Sequence, residues 1–353
     1  MLKKFLVFIL CFCLCFAVGC SGEEEPISVE DGDVIQEDIN EEKEDKEEVK
    51  LALNPLTGVT NLDPDRKNDR PVAIMVNNIS IAQPVQTGLN KADIVYETEV
   101  EGGITRLLAV YQDISKVEQI GTVRSARYVY FDIALGHNAV YVHHGQDGYH
   151  VQPRFTAKNH FVVGTNSGGS RVSNGLASEH TLYAYGEKLV KAIKDKGISF
   201  ENNSSENWVK FEDEKENVTL EGAGTSVKVP FSASYVTNFK YNEETGKYTR
   251  FFNNTERKDY VTGETVEFKN IFVLKTKIAT FSNCTDGYKH QDVKLQGGDG
   301  FYVVNGTSVP IKWSKGAAEN GFKFTTEDGT ELTVNAGNSW VCLVKDSANI
   351  TIS

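Results

Sequence analysis

Arg106, Arg124 and Arg127 are the residues of this chain whose type and spacing best fit a defined chemistry. A guanidinium is a charged, planar fork of donors that grips phosphate or carboxylate through two hydrogen bonds at once. Arg124 and Arg127 stand three apart, with Ser125 between them. A helix opening there would put both on one face near its amino end, where free backbone N–H groups and the helix dipole also favour an anion. Gly102 and Gly103 ahead of Arg106, and Gly121 ahead of Arg124, permit close approach of the backbone. A strand-turn-strand between the two blocks is expected to bring the arginines together. The expected anion-binding set is Arg106, Arg124, Arg127, Ser125 and Gly103, with Glu101, His143, His180 and Tyr183 as accessory residues. The competing reading pairs the same arginines with Glu97, Glu99, Glu101 and Asp132 as structural ion pairs, and the sequence favours neither.

His143, His144, His150 and His180 raise the question of metal binding or proton transfer. Adjacent residues of a strand point to opposite faces, so His143 and His144 cannot both hold one ion. No carboxylate–histidine or cysteine spacing of the zinc type accompanies them, so no metal ligand and no catalytic residue is assigned. A structural hydrogen bond is the commoner role for such a histidine. Ser167-Gly168-Gly169-Ser170-Arg171 is similar to a phosphate-cradling turn but lacks the lysine and strand–helix setting of a P-loop, and is read as a mobile loop near the site. Trp313 and Trp340 are read as packed.

These residues need a scaffold, and the pattern of the chain supplies one. Strand-like runs cover Pro71 to Asn77, Asp93 to Val100 and Leu107 to Tyr111, and helical apolar spacing covers Val123 to Leu135 and Leu182 to Lys196, the latter stopped by Gly197. Beyond Trp208, short runs rich in Val, Thr, Phe and Tyr alternate with turn signals at Glu244-Thr245-Gly246, Thr262-Gly263, Gly297-Gly298-Asp299-Gly300, Asn305-Gly306 and Asp328-Gly329. The fold class expected is α+β, an amino-terminal α/β domain followed by a mostly antiparallel β domain. The divisions are 1–19, 20–50, 51–205 for the α/β domain and 206–353 for the β-rich one, since about 300 residues usually exceed a single core.

Several blocks resemble a known family. Arg70-Pro71-Val72-Ala73-Ile74-Met75-Val76, the run from Gly88 to Glu97, Glu101 to Arg106, Gly121 to Arg127, Tyr141 to Gly145 and Ser178 to Tyr183 closely resemble the YerB-like lipoproteins, whose domain has no established function. The resemblance is strong over residues 54–200 and weaker through Tyr241 to Phe252, Asn270 to Leu274 and Gly300 to Val344, which look like that family's β-rich carboxy-terminal part. Thr122, Tyr128 and His144 depart from it, standing where proline, proline and a small residue are expected. The resemblance implies fold and location but no activity.

The start of the chain has signal-peptide anatomy: Lys3 and Lys4, an apolar run from Phe5 to Val18, and small residues at Ala17 and Gly19 before Cys20. Ala17-Val18-Gly19-Cys20 resembles a lipobox, which implies cleavage before Cys20, acylation of that cysteine, and a stable hold on the outer face of the cytoplasmic membrane of a Gram-positive-type bacterium. Residues 21–50 hold fourteen Asp or Glu against three Lys and read as a disordered tether. The whole chain carries 37 basic and 49 acidic residues, a net charge of −12. Removing Lys3 and Lys4 gives −14, and setting aside the tether's −11 leaves −3 for residues 51–353. A nearly neutral body makes no electrostatic case for nucleic acid. Of six cysteines, only Cys284 and Cys342 lie beyond Cys20, and whether they pair is open.

The expected function is that of a non-catalytic cell-envelope binding or scaffold lipoprotein, without a cofactor, whose cleft recognises an anionic envelope component or a protein partner. An alternative is an envelope enzyme: Arg106 and Arg124-Ser125 are loosely similar to the arginine-bearing hairpin of the LytR-CpsA-Psr phosphotransferases, which would imply a pyrophosphate-linked glycan substrate and magnesium. A transporter-linked solute-capture role fits less well, because the chain ends in β structure.

Overall fold

The computed structural model describes residues 50–202, 207–282, 284 and 286–353. The signal peptide, Cys20 and all of the acidic tether but Lys50 lie outside the described residues.

Runs of β-branched and aromatic residues form the strands that matter here. In chain order they are Val72–Asn77 (β1), Ile94–Glu99 (β2), Thr105–Tyr111 (β3), Val140–His143 (β4), His160–Val162 (β5), Ser226–Pro230 (β6), Val236–Asn242 (β7), Lys247–Phe252 (β8), Asn270–Thr276 (β9), Gly297–Val304 (β10), Thr307–Ser314 (β11), Lys323–Thr326 (β12) and Ser339–Lys345 (β13). An eleven-stranded mixed sheet runs from Gly222–Ala223 through β11, β10, β9, β13, β2, β3, β1 and β4 to β5, with β12 also on β11. A second, antiparallel sheet of six strands is built around β6, β7 and β8.

Because side chains alternate along a strand, the large sheet has two apolar faces, and each buries a different partner. Ala73, Met75, Tyr96 and Leu108 face the helix Tyr128–Gly136 (α1), which contributes Val129, Tyr130, Phe131 and Ile133. Val72, Ile74, Val76, Val95 and Leu107 face the other way, in one core with Leu189 and Ile193 of the helix Gly186–Asp195 (α2) and with Val227, Phe239 and Tyr248 of the second sheet. Each such buried side chain contributes roughly 1.5–3 kcal/mol relative to exposure.

The chain is mostly β, so the α/β expectation for residues 51–205 holds only in part: two α-helices accompany the strands there. The helix read from Val123 starts instead at Tyr128. Val123 forms a β-bridge with Val76 and Arg127 has extended backbone (φ −134°, ψ 148°), so Arg124 and Arg127 do not share a helix face. The helix read from Leu182 is strand over Leu182–Ala184 and begins at Gly186, where a Cβ would sit 2.0 Å from the Ile114 carbonyl oxygen.

Ser167–Arg171 is no mobile loop. Gly169–Arg171 pairs with Leu182–Ala184, and Gly168 packs against Leu189. Gly297–Gly300 lies inside β10 rather than in a turn. Asn305-Gly306 does turn the chain between β10 and β11, with φ of 51° and 74°. Trp313 and Trp340 are packed, at 3 % and 0 % exposure.

The described residues fall in one compact unit, and the two halves drawn at residue 205 share the large sheet. The seam is β13, which pairs in parallel with β9 on one side and with β2 on the other. Cys284 and Cys342 are both free thiols.

Candidate functional site

Strand direction gathers the distinctive blocks at one edge of the large sheet. β1, β4 and β5 run parallel to one another, and β2 and β3 alternate beside them, so the ends of β1, β2, β4 and β5 and the start of β3 lie together. Crevices at the carboxyl ends of parallel strands are favoured places for ligand sites. Asn77, Glu99, Arg106 and His143 all lie at that edge. The turn Glu101–Gly103 joins β2 to β3 there, with Gly102 and Gly103 at φ of 72° and 70°.

The arginines arrive by a route other than a hairpin. Arg106 is the second residue of β3, in register with Asn77. The segment bearing Arg124 and Arg127 is laid across the sheet by Val123 N–H donating to Leu182 O, Arg124 N–H to Met75 O, and Ala126 N–H to Gly145 O. Arg106 Nη1 then donates to the Ser125 carbonyl at 2.5 Å, which ties the strand to that segment.

The three guanidinium groups have different partners. Arg127 is held by a carboxylate, its Nε 2.5 Å from Glu101 Oε1. Arg124 donates to the Glu179 carbonyl at 3.0 Å and stands 3.6 Å from Glu179 Oε2, a side chain 61 % exposed, while its buried Nε has no partner. Arg106 is 7 % exposed and enters no ion pair among the described residues. Burial first, and then the neighbouring charges of Arg127 and Arg124, pull its pKa down to about 9 against the pull of Glu101. Of the four carboxylates named for the ion-pair reading, only Glu101 holds one of these arginines, since Arg124 is paired with Glu179 instead, Glu99 with Lys345 and Asp132 with Arg154, and Glu97 is enclosed in the core.

Burial raises the Glu101 carboxyl, but the Arg127 hydrogen bond and the charges of Arg127 and Arg106 outweigh it and leave its pKa at about 2. Glu101 Oε1 also lies 2.6 Å from His290 Nδ1, and His290 Nε2 lies 2.8 Å from Asp286 Oδ2 and 3.8 Å from Asp147 Oδ1. Burial disfavours charge on His290, yet its bonds to Asp286 and Glu101 lift its pKa above the ordinary value. Sequence reasoning missed His290, which is 189 residues from Glu101 and has no local signal.

His143 is a structural residue. It is fully buried between Gly145 O, 2.8 Å from Nδ1, and His160 Nδ1, 3.1 Å from Nε2, and it stacks on Phe155. Burial lowers its pKa to about 4, so it is neutral at physiological pH. His144 points the other way, to Val163 O and towards Arg171, as strand alternation requires. His180 joins the site: Nδ1 lies 2.9 Å from Asn77 Nδ2 and Nε2 lies 3.2 Å from Glu179 Oε1, so Glu179 links it to Arg124. Burial and then Arg124 lower its pKa.

Tyr183 does not face the arginines; its hydroxyl donates to Val85 O and accepts from Asn174. Ser125 takes part through its carbonyl, and the Gly103 carbonyl accepts from Ser232 Oγ. Among the described residues, no group of three or more His, Cys, Asp or Glu has the geometry to hold a metal ion.

Comparison with known proteins matches residues 56–199 to the Protein of unknown function (DUF3048) N-terminal domain and residues 227–341 to the DUF3048 C-terminal domain. YerB of Bacillus subtilis (strain 168), a protein assigned as a lipoprotein, is 30 % identical over 307 residues, covering 85 % of this chain and 88 % of its own length. The crystal structure of YerB protein from Bacillus subtilis superposes with a TM-score of 0.72 at 28 % identity, covering 85 % of this chain and 99 % of that one. The motif blocks, the shared sheet and these matches place the chain in the YerB-like DUF3048 family, whose function is unknown.

Proposed function

We propose that this protein is a non-catalytic binding or scaffold lipoprotein of the cell envelope, acylated at Cys20 on the outer face of the cytoplasmic membrane, and that its arginine edge recognises an anionic envelope component. The observation that carries the reading is Arg106: a nearly buried guanidinium beside two others, with one backbone carbonyl as its partner and no carboxylate. A buried cation without a counter-charge is costly unless something compensates it, and a phosphate or carboxylate group entering between Arg106 and Arg124 would do so. Arg124 keeps an unpartnered Nε, and its acidic neighbour Glu179, mostly exposed, would release Arg124 and His180 as a ligand took its place. The name of the Bacillus relative supports the lipid anchor. Among the described residues no helix is long and apolar enough to cross a membrane. A metal-assisted phosphotransferase gains no support from the side chains at this edge.

Thermal unfolding of the processed full-length chain with and without pyrophosphate tests the anion reading. At about 100 times its dissociation constant a ligand stabilises by about 2.7 kcal/mol, a shift of several degrees. The expected result is a shift that Arg124→Ala abolishes; an equal shift in Arg124→Ala, or none with any phosphorylated envelope fragment, removes the arginine edge as the site. For the anchor, Cys20→Ala is expected to leave the membrane fraction, and the mature amino terminus to carry acyl mass.

A further inference from the structure

A second pair of arginines lies inside the molecule, where the six-stranded sheet faces β1 and β2. β8 turns back on itself after Phe252, and Arg257 N–H donates to Arg250 O, so the two arginines are cross-strand neighbours. Arg250 is fully buried and lies over the Trp340 ring, 4.7 Å from its centroid. Arg257 keeps 8 % of its surface, so solvent meets the pair from its side.

The partners of this pair are incomplete. Arg250 Nη2 donates to Asn78 Oδ1 at 3.3 Å, but its Nε and Nη1 are buried without an acceptor, and so is Arg257 Nε. Neither guanidinium enters an ion pair among the described residues. The nearby carboxylate, Glu97, has its acceptor sites taken up by Asn78, Thr105, Thr237 and Trp340. Burial raises the pKa of Glu97, with the charge of Arg250 opposing. Burial, then Arg257 against Glu97, lowers the pKa of Arg250 to about 10.

Buried donors without acceptors are costly, more so when charged, and an internal water or ion is one way in which folded proteins satisfy them. A water would accept a hydrogen bond but leave two like charges facing each other across a strand pair. A compact anion answers both needs. We infer that Arg250 and Arg257 form an internal site for a small inorganic anion of halide size, distinct from the arginine edge and seated between the second sheet and the large one.

Thermal unfolding in sodium bromide against sodium gluconate at equal ionic strength tests the site. The wild-type chain is expected to melt several degrees higher in bromide, and Arg257→Gln, altered at the mouth of the site rather than at its floor, to melt at the same temperature in both. Crystals soaked in bromide are expected to show an anomalous peak within hydrogen-bonding distance of Arg250 Nη1. Equal melting of the wild-type chain in the two salts, a bromide preference that survives Arg257→Gln, or a peak confined to Arg106 and Arg124 would each overturn the assignment. Loss of the pyrophosphate response in Arg124→Ala with the bromide response intact would separate the two sites.

Discussion

The two arginine groups face opposite conditions. At the sheet edge, Arg106, Arg124 and Arg127 lie on chain segments pinned by backbone hydrogen bonds, and each keeps a different partner: a carbonyl, an exposed glutamate and a half-buried glutamate. In the interior, Arg250 and Arg257 hang from one strand pair, and the carboxylate near them is saturated by other donors. The edge has an acceptor that reaches solvent, Glu179; the interior has none to release, because Glu97 is tied to other donors, and it meets solvent only on the Arg257 side. On the readings proposed above, the same side-chain chemistry would capture a ligand at the surface in one place and hold a small ion inside the fold in the other, and what separates the two is whether a neighbouring acceptor has to leave.

That contrast can be broken at its interior end first. Trp340→Ala removes the floor beneath Arg250 and a large side chain common to the central strands, and is expected to cost about 3–5 kcal/mol in a urea titration. A cost below about 1 kcal/mol would mean that the interior is as adaptable as the edge.

Acid sharpens the contrast next. Glu101, with a folded pKa of about 2 against 4.5 when unfolded, contributes stability that is present above pH 4.5 and lost as pH falls towards 2. The loss is on the order of 3 kcal/mol, and Glu101→Gln should flatten that limb of the stability profile. His143, with a folded pKa of about 4 against 6.5, adds an earlier loss of similar order as pH falls from 6.5 to about 4, which His143→Gln should remove. A profile unchanged by either substitution would detach these groups from the fold.

The smallest effect is expected at the exposed end. Arg124→Ala should change stability by less than about 1 kcal/mol, since its ion pair is long and the Glu179 side of it is exposed, while abolishing the pyrophosphate response. A large loss of stability there would turn the edge into scaffold.

Much of this was legible from residue order. Strand-like apolar runs located β1, β2 and β3, and Asn305-Gly306 located a hairpin, because those signals are local. The edge residues were recognisable as blocks, yet their arrangement was not. Arg124 and Arg127 have helical spacing, but bridging of Val123 to Val76 holds the segment extended and overrides it. Tyr183 sits beside His180 in sequence and faces away from the arginines, since its strand pairs with Gly121 and Arg171 flanks it. The partners of His290, and the burial of the Arg250–Arg257 hairpin against Asn78 and Trp340, depend on contacts between residues far apart in sequence, for which a single chain carries no periodic trace. The change in composition near residue 205 is real, but it does not mark where the large sheet ends.

The placement of Ser339–Lys345 makes the two halves depend on one another. This strand lies far along the chain from β2 yet is wedged between β2 and β9, so neither half completes its hydrogen-bonded ladder without it. Joining segments so widely separated in sequence is slow. A chain lacking residues 339–345 would leave the edges of both neighbouring strands bare and prone to clumping, so the two halves stand or fall as one body.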